Sequence, residues 1–146
     1  MIAEYLLPDL IQLDLQVTSR EELMKHLVDL MASKGLVTDT KGYLEDLYTR
    51  EKQGSTAIGF DVATPHAKSA GVIKPAIALA RLIQPIKWDE EEEVSMVFLI
   101  AVPEAQAGDV HLKIVANLFR KLMHEDFRQS LKTANTAEEI LNTIQD

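Results

Sequence analysis

Two stretches, Ala76-Ile77-Ala78-Leu79-Ala80-Arg81-Leu82 and Val94-Ser95-Met96-Val97-Phe98-Leu99-Ile100-Ala101-Val102, decide the fold class. Each is a short apolar run of strand length, too short for a membrane helix of about 18 or more apolar residues, and reads as a buried strand. Between them lies the acidic run Asp89 to Glu93, which predicts the turn of a hairpin.

Outward from this pair the pattern changes to helical spacing on both sides. Ile11, Leu13, Leu15 and Val17 alternate with polar residues, as on a half-buried strand. Ser19 opens a helix with Glu22 completing a capping box, Leu23, Leu27, Leu30 and Met31 form its apolar face, and Gly35 ends it. A second helix is expected over Thr40 to Gln53, with Tyr43, Leu44, Leu47 and Tyr48 inward and Gly54 as its stop. From Ser55 to His66 short β-type runs are broken by Gly59, Asp61 and Pro65. The last third is helical. Leu112, Val115, Phe119 and Leu122 recur at helical spacing, a shorter helix covers Asp126 to Lys132, and Thr136 with Glu139 caps a final helix that buries Ile140, Leu141 and Ile144. Helices flanking a strand cluster predict an α/β fold with a mixed β-sheet.

The chain has 146 residues, ordinary globular composition (47% hydrophobic, 26% charged) and no divisive linker or repeat, so a single domain over residues 1–146 is expected. No cysteine is present, which removes thiolate chemistry from this chain and fits a reducing cytosol. The first residues carry no positive n-region and no long apolar stretch, so a cytoplasmic protein is expected. The net charge of −8 argues against nonspecific nucleic-acid binding, while leaving room for a local phosphate site.

Four histidines are candidates for chemistry. His26 shares a helix face with Glu22, Asp29 and Ser33, opposite the apolar stripe, and reads as a solvated residue. His124 falls at the end of a helix, where it would meet the last carbonyls. His66 follows Pro65 and ends a β-type run, so rigid backbone presents it; spacing alone leaves a structural and a functional role equally open. His111 stands at the start of an apolar helix, where free N–H groups suit an anion, although a surface role is the ordinary one there. A neutral imidazole can accept a phosphoryl group near pH 7, and nearby cations would stabilise the transfer. Arg50 is a cation of this kind, in the last turn of the helix leading to the His66 segment, and equally reads as a surface arginine.

The stretch Ser55-Thr56-Ala57-Ile58-Gly59-Phe60-Asp61-Val62-Ala63-Thr64-Pro65-His66 resembles the signature T-G-I-G-x-G-x-A-x-P-H of fructose/mannitol-type enzyme IIA domains of the sugar phosphotransferase system. Arg50-Glu51 matches the family's R-E pair. Lys74-Pro75, Pro85-Ile86-Lys87-Trp88-Asp89, Ala101-Val102-Pro103-Glu104 and His111-Leu112 follow in the expected order, so the likeness covers nearly the whole chain. The resemblance implies a three-layer α/β/α sandwich with a mixed β-sheet, and a phosphocarrier that needs no metal and no diffusible cofactor. It implies that His66 accepts a phosphoryl group from the phosphorylated carrier HPr and passes it to a cysteine of a cognate enzyme IIB. Contact with the membrane enzyme IIC would then run through enzyme IIB only. It further implies that Arg50 and His111 hold the phosphoryl group.

Three positions depart from the signature. Ala57 and Asp61 stand where the family commonly has Gly, and Thr64 where an apolar residue is usual. Asp tolerates φ > 0 better than most residues, so the loop is expected to survive. The Asp61 carboxylate, five residues from His66 in sequence, is expected to disfavour phosphate or to select a partner. The alternative within the family is a regulatory, nitrogen-type enzyme IIA that signals by its phosphorylation state. A binding module whose His66 is never phosphorylated is the reading if these departures disable the site. A metal site built from His66, His111 and the Asp89–Glu93 acids has no supporting ligand spacing. A shallow, mostly apolar face is expected around His66, for carriers that dock in turn.

Overall fold

The computed structural model describes residues 2–105 and 109–145, the side chains of 109–111 excepted. Two 3₁₀ turns, Ile2–Glu4 and Pro8–Leu10, lead into β1 (Ile11–Leu15). Then come α1 (Arg20–Ser33), α2 (Thr40–Gln53), β2 (Ala57–Gly59), β3 (Val62–Ala63), β4 (His66–Ser69), β5 (Ala76–Lys87) and β6 (Glu93–Pro103). Three helices close the fold: α3 (Asp109–Leu122), α4 (Glu125–Thr133) and α5 (Ala137–Ile144).

Six strands form one mixed sheet in the order β1-β5-β6-β3-β2, with β4 also on β6. β1 is parallel to β5, β5 antiparallel to β6, and β3 and β4 both parallel to β6. The β5–β6 hairpin is the expected one, and Asp89 closes its turn by accepting the N–H groups of Glu91 and Glu92, each at 2.8 Å.

Side chains alternate across a strand, so each central strand feeds two cores. Ala76, Ala78 and Ala80 of β5 and Val97, Leu99 and Ala101 of β6 meet Leu23, Leu27 and Met31 of α1 and Tyr43 and Leu47 of α2. On the other face Ile77, Leu79, Phe98 and Ile100 meet Ile114, Leu118 and Leu122 of α3, Leu131 of α4 and Ile140 and Ile144 of α5. The result is the three-layer α/β/α sandwich. Each large side chain moved out of water contributes about 1.5–3 kcal/mol.

Two helical starts match their sequence signals. Ser19 accepts the Glu22 N–H at 3.0 Å, and Thr136 accepts the Glu139 N–H at 3.1 Å. The glutamates reach back one residue beyond the cap, Glu22 to Thr18 N–H and Glu139 to Asn135 N–H.

Two elements differ from the sequence reading. In β1 the alternation of Ile11, Leu13, Leu15 and Val17 does not keep one face. Asp14 takes φ 56°, the register with β5 shifts between Gln12 and Leu15, and Leu15 and Val17 join the opposite core from Ile11 and Leu13. A bulge inserts one residue, and a one-residue slip reverses faces. In α3 the inward stripe is Ile114, Leu118 and Leu122, while Leu112 is 64% and Phe119 40% exposed. The helix has apolar residues on two faces, and the sheet buries the other one.

Candidate active site

His66 opens β4; it does not end a run. β3 and β4 continue one another along β6 with a constant offset, Val62 beside Met96 and His66 beside Ile100. Thr64-Pro65 interrupts them, because Pro65 has no N–H to give the ladder. Its carbonyl still accepts the Ile100 N–H at 2.9 Å. The strand therefore breaks just before the histidine and resumes with it.

The His66 ring is half-buried, and its Nδ1 lies 2.8 Å from the Thr64 carbonyl. A carbonyl only accepts, so Nδ1 carries the proton and the lone pair sits on Nε2. Burial pushes the imidazole pKa below its ordinary 6.5; the Thr64 hydrogen bond opposes this, the Arg50 cation adds to it, and the Glu51 carboxylate opposes it. The ring is consequently neutral and nucleophilic at pH 7.

α2 supplies the wall facing His66. Asp46, Thr49, Arg50 and Gln53 from this helix line an open cleft of about 400 Å³ together with His66, Ala67 and Lys68. The α2 residues carry polar tips, but their aliphatic stems together with Ala67 leave more of the cleft's lining apolar than polar, in keeping with the expected face. Arg50 is placed at the cleft, and its guanidinium donates to the Gly54 carbonyl at 2.7 Å, which fixes the exit of α2. Tyr43, wholly buried, donates its hydroxyl to the carbonyl of Ile100, the residue paired with His66, at 3.1 Å. Burial raises its phenol pKa far above the ordinary value, so it stays a donor. α2 is thus pinned to the sheet directly beneath the histidine.

His66 and Arg50 are brought together. His111 lies in the first turn of α3, and its side chain falls outside the described residues. His26 is exposed on α1, with Nε2 3.4 Å from Gln12 Oε1. His124 occupies the N-cap position of α4 without a side-chain capping bond; Arg128 instead reaches the Leu122 carbonyl at 2.7 Å. Among the described residues no group of three or more His, Asp or Glu side chains is placed to hold a metal ion.

The three departures from the signature fall in distinct local settings. Asp61 takes φ 70°, following Phe60 at φ 57° and Gly59 at φ 84°, so the turn between β2 and β3 does require left-handed backbone. Its carboxylate accepts the Ser95 hydroxyl and lies 3.9 Å from Lys132 Nζ. Ser95 and Ile100 are five positions apart on β6, which places the Asp61 backbone about 16 Å from His66 at ~3.3 Å per residue. At that distance the charge is largely screened, so it neither repels a phosphate at His66 nor belongs to the site. Thr64 is buried, and both its backbone groups are used: its N–H goes to the Thr56 carbonyl at 3.0 Å and its carbonyl holds His66. Ala57 sits in β2 opposite Ala63, where no positive φ is needed.

Sequence reasoning matched Glu51 to the R-E pair but gave it no role. It is buried in the last turn of α2, and its two carboxylate oxygens take the N–H (3.2 Å) and the hydroxyl of Thr56. A signal was present, since an acid in the last turn of a helix opposes the helix dipole and needs a reason to be there.

The chain as a whole has known relatives. Residues 4–146 match the family model for the phosphoenolpyruvate-dependent sugar phosphotransferase system, EIIA 2, and the chain belongs to this family. It is 36% identical over 141 residues to the 2-O-alpha-mannosyl-D-glycerate-specific EIIABC component of Escherichia coli, covering 94% of this chain but 21% of that protein's length. It is also 36% identical over 140 residues to the fructose-specific EIIA component of Haloferax volcanii, covering 94% of this chain and 88% of the relative. Among solved structures it resembles the nitrogen regulatory protein IIA-Ntr of Neisseria meningitidis, with a TM-score of 0.88, 33% identity and 99% coverage of both chains. No helix among the described residues is long and apolar enough to cross a membrane.

Proposed function

We propose that the chain is a cytoplasmic phosphocarrier that takes a phosphoryl group from phospho-HPr onto His66 and gives it to a cysteine of an enzyme IIB, with residues 1–146 acting as one enzyme IIA unit. The observation that carries this reading is the Nδ1–H bond of His66 to the Thr64 carbonyl, which aims the lone pair of a neutral imidazole from Nε2. In the first step a bond forms between Nε2 and phosphorus as the donor's bond to phosphorus breaks in line with it. Nδ1 keeps its proton, so the ring becomes cationic, and the Thr64 carbonyl stabilises that charge. In the second step the cysteine sulfur attacks, its proton is lost, and Nε2 leaves with the electron pair. Arg50, across the cleft, neutralises charge on the phosphoryl oxygens, and the family resemblance gives His111 the same task.

Reconstitution with phosphoenolpyruvate, enzyme I, HPr and an enzyme IIB tests this. Label is expected to pass through this chain to the enzyme IIB cysteine; label that stops at HPr would contradict the reading.

A second reading is favoured by one observation, the full-length likeness to a nitrogen regulatory IIA. In it His66 is phosphorylated in the same way, and a partner reads the phosphorylation state. Transfer from phospho-HPr with no onward transfer to any sugar-specific enzyme IIB would favour this regulatory role.

A further inference from the structure

The residues between α2 and His66 form a continuous chain of hydrogen bonds. Glu51 holds Thr56 by both its N–H and its hydroxyl. The Thr56 carbonyl accepts the Thr64 N–H at 3.0 Å, and the Thr64 carbonyl accepts Nδ1–H of His66 at 2.8 Å. The middle link is backbone to backbone and the last joins the ring to a backbone carbonyl, so the orientation of the Thr64 carbonyl depends on where Thr56 is fixed. Ser55 adds a second anchor by donating to Asp89 at 2.5 Å, which ties the same loop to the β5–β6 turn.

We infer that Glu51 is a positioning residue: through Thr56 and Thr64 it sets the tautomer and aim of the His66 ring without touching the phosphoryl group. The inference rests on the reading of His66 as the phosphoryl acceptor. Two features favour this role over plain structural support. Glu51 is a carboxylate buried at the end of a helix whose dipole disfavours it there. Thr56 sits at the outer end of the short β2–β3 pairing, where the neighbouring strand holds only its carbonyl, and Glu51 supplies the bonds to its N–H and hydroxyl.

Charge and geometry can be separated by substitution. In Glu51→Gln the amide oxygen accepts the Thr56 N–H while the amide NH₂ donates to the Thr56 hydroxyl, so the grip survives without the charge. Glu51→Ala removes both bonds. Thr56→Ser keeps the hydroxyl, whereas Thr56→Val deletes that bond alone.

The test reads two quantities on the intact chain. Nitrogen-15 NMR of the His66 ring gives its tautomer with no phosphate present, and the rate of phosphoryl acceptance from phospho-HPr gives its reactivity. Wild type, Glu51→Gln and Thr56→Ser are expected to hold the Nδ1–H tautomer and accept phosphate within about threefold of one another. Glu51→Ala is expected to show a mixture of tautomers and a rate about 10–100-fold lower, as for other lost orienting partners. If Glu51→Ala does not fold, Thr56→Val against Thr56→Ser provides the same contrast. A folded Glu51→Ala or Thr56→Val with the wild-type tautomer and rate overturns the inference. So does a Glu51→Gln variant as impaired as Glu51→Ala, since charge rather than geometry would then matter. Tautomer changes as expected in a chain that never accepts phosphate would leave the positioning intact and refute the phosphocarrier reading instead.

Discussion

Replacing Asp61 by Ala and by Gly separates the two things this residue does. It sits at φ 70° and accepts a hydrogen bond from Ser95. Both variants lose the bond to a charged acceptor, worth about 1.5–3 kcal/mol, and the half-exposed pair with Lys132, worth at most about 0.5 kcal/mol. Ala also carries the left-handed backbone cost of about 1–2 kcal/mol, which Gly avoids. Gly in turn loses about 0.5–1 kcal/mol more chain entropy on folding. Wild-type Asp61 carries part of the left-handed cost itself, so Ala falls about 2–4 kcal/mol below wild type and Gly lies about 1 kcal/mol above Ala. For a domain of this size each kcal/mol moves the melting temperature by about 4 °C. Thermal unfolding should therefore rank wild type above Gly above Ala, with about 4 °C between the two variants. The same variants test the distance argument. A unit charge about 16 Å away in water is worth about 0.3 kcal/mol before salt, so phosphoryl acceptance at His66 should change less than twofold. An Ala variant as stable as the Gly variant would refute the backbone reasoning. A tenfold change in acceptance would refute the placement of Asp61 outside the site.

Other consequences are measurable on single variants. Arg50→Gln removes a cation that lowers the His66 pKa, so the acid limb of the acceptance rate should move to higher pH as the rate itself falls; an unmoved limb would take Arg50 away from the imidazole. Because the His66 pKa is depressed on folding, its neutral burial stabilises the fold fully above pH 6.5, and that contribution is lost as pH falls through the folded-state value. Wild type should thus lose stability below pH 6.5 more steeply than His66→Gln in matched denaturation curves. Tyr43→Phe leaves the Ile100 carbonyl without its buried donor and should cost about 1–3 kcal/mol, seen as a lower urea midpoint with His66 still able to react.

The fold was legible where one local signal dominated. The β5–β6 pair, the Ser19 and Thr136 caps, and the limits of α2 follow from short apolar runs, capping residues and the Gly54 stop. The bulge at Asp14 was not legible, because alternation in sequence says nothing about an inserted residue. Nor was the buried face of α3, whose apolar residues allow two rotations that only the sheet decides between. Of the candidate site, His66 and Arg50 were found by resemblance and are placed on one cleft by the structure. Glu51 was matched in the R-E pair without a role, because its partner, Thr56, lies across a turn whose path no periodicity predicts.

The most direct measurement is intact mass after incubation with phosphoenolpyruvate, enzyme I and HPr, on wild type and His66→Ala. One acid-labile phosphoryl group on wild type, absent from a folded His66→Ala, is the predicted result. No added mass on wild type while HPr itself is phosphorylated, or equal labelling of the variant, would contradict it.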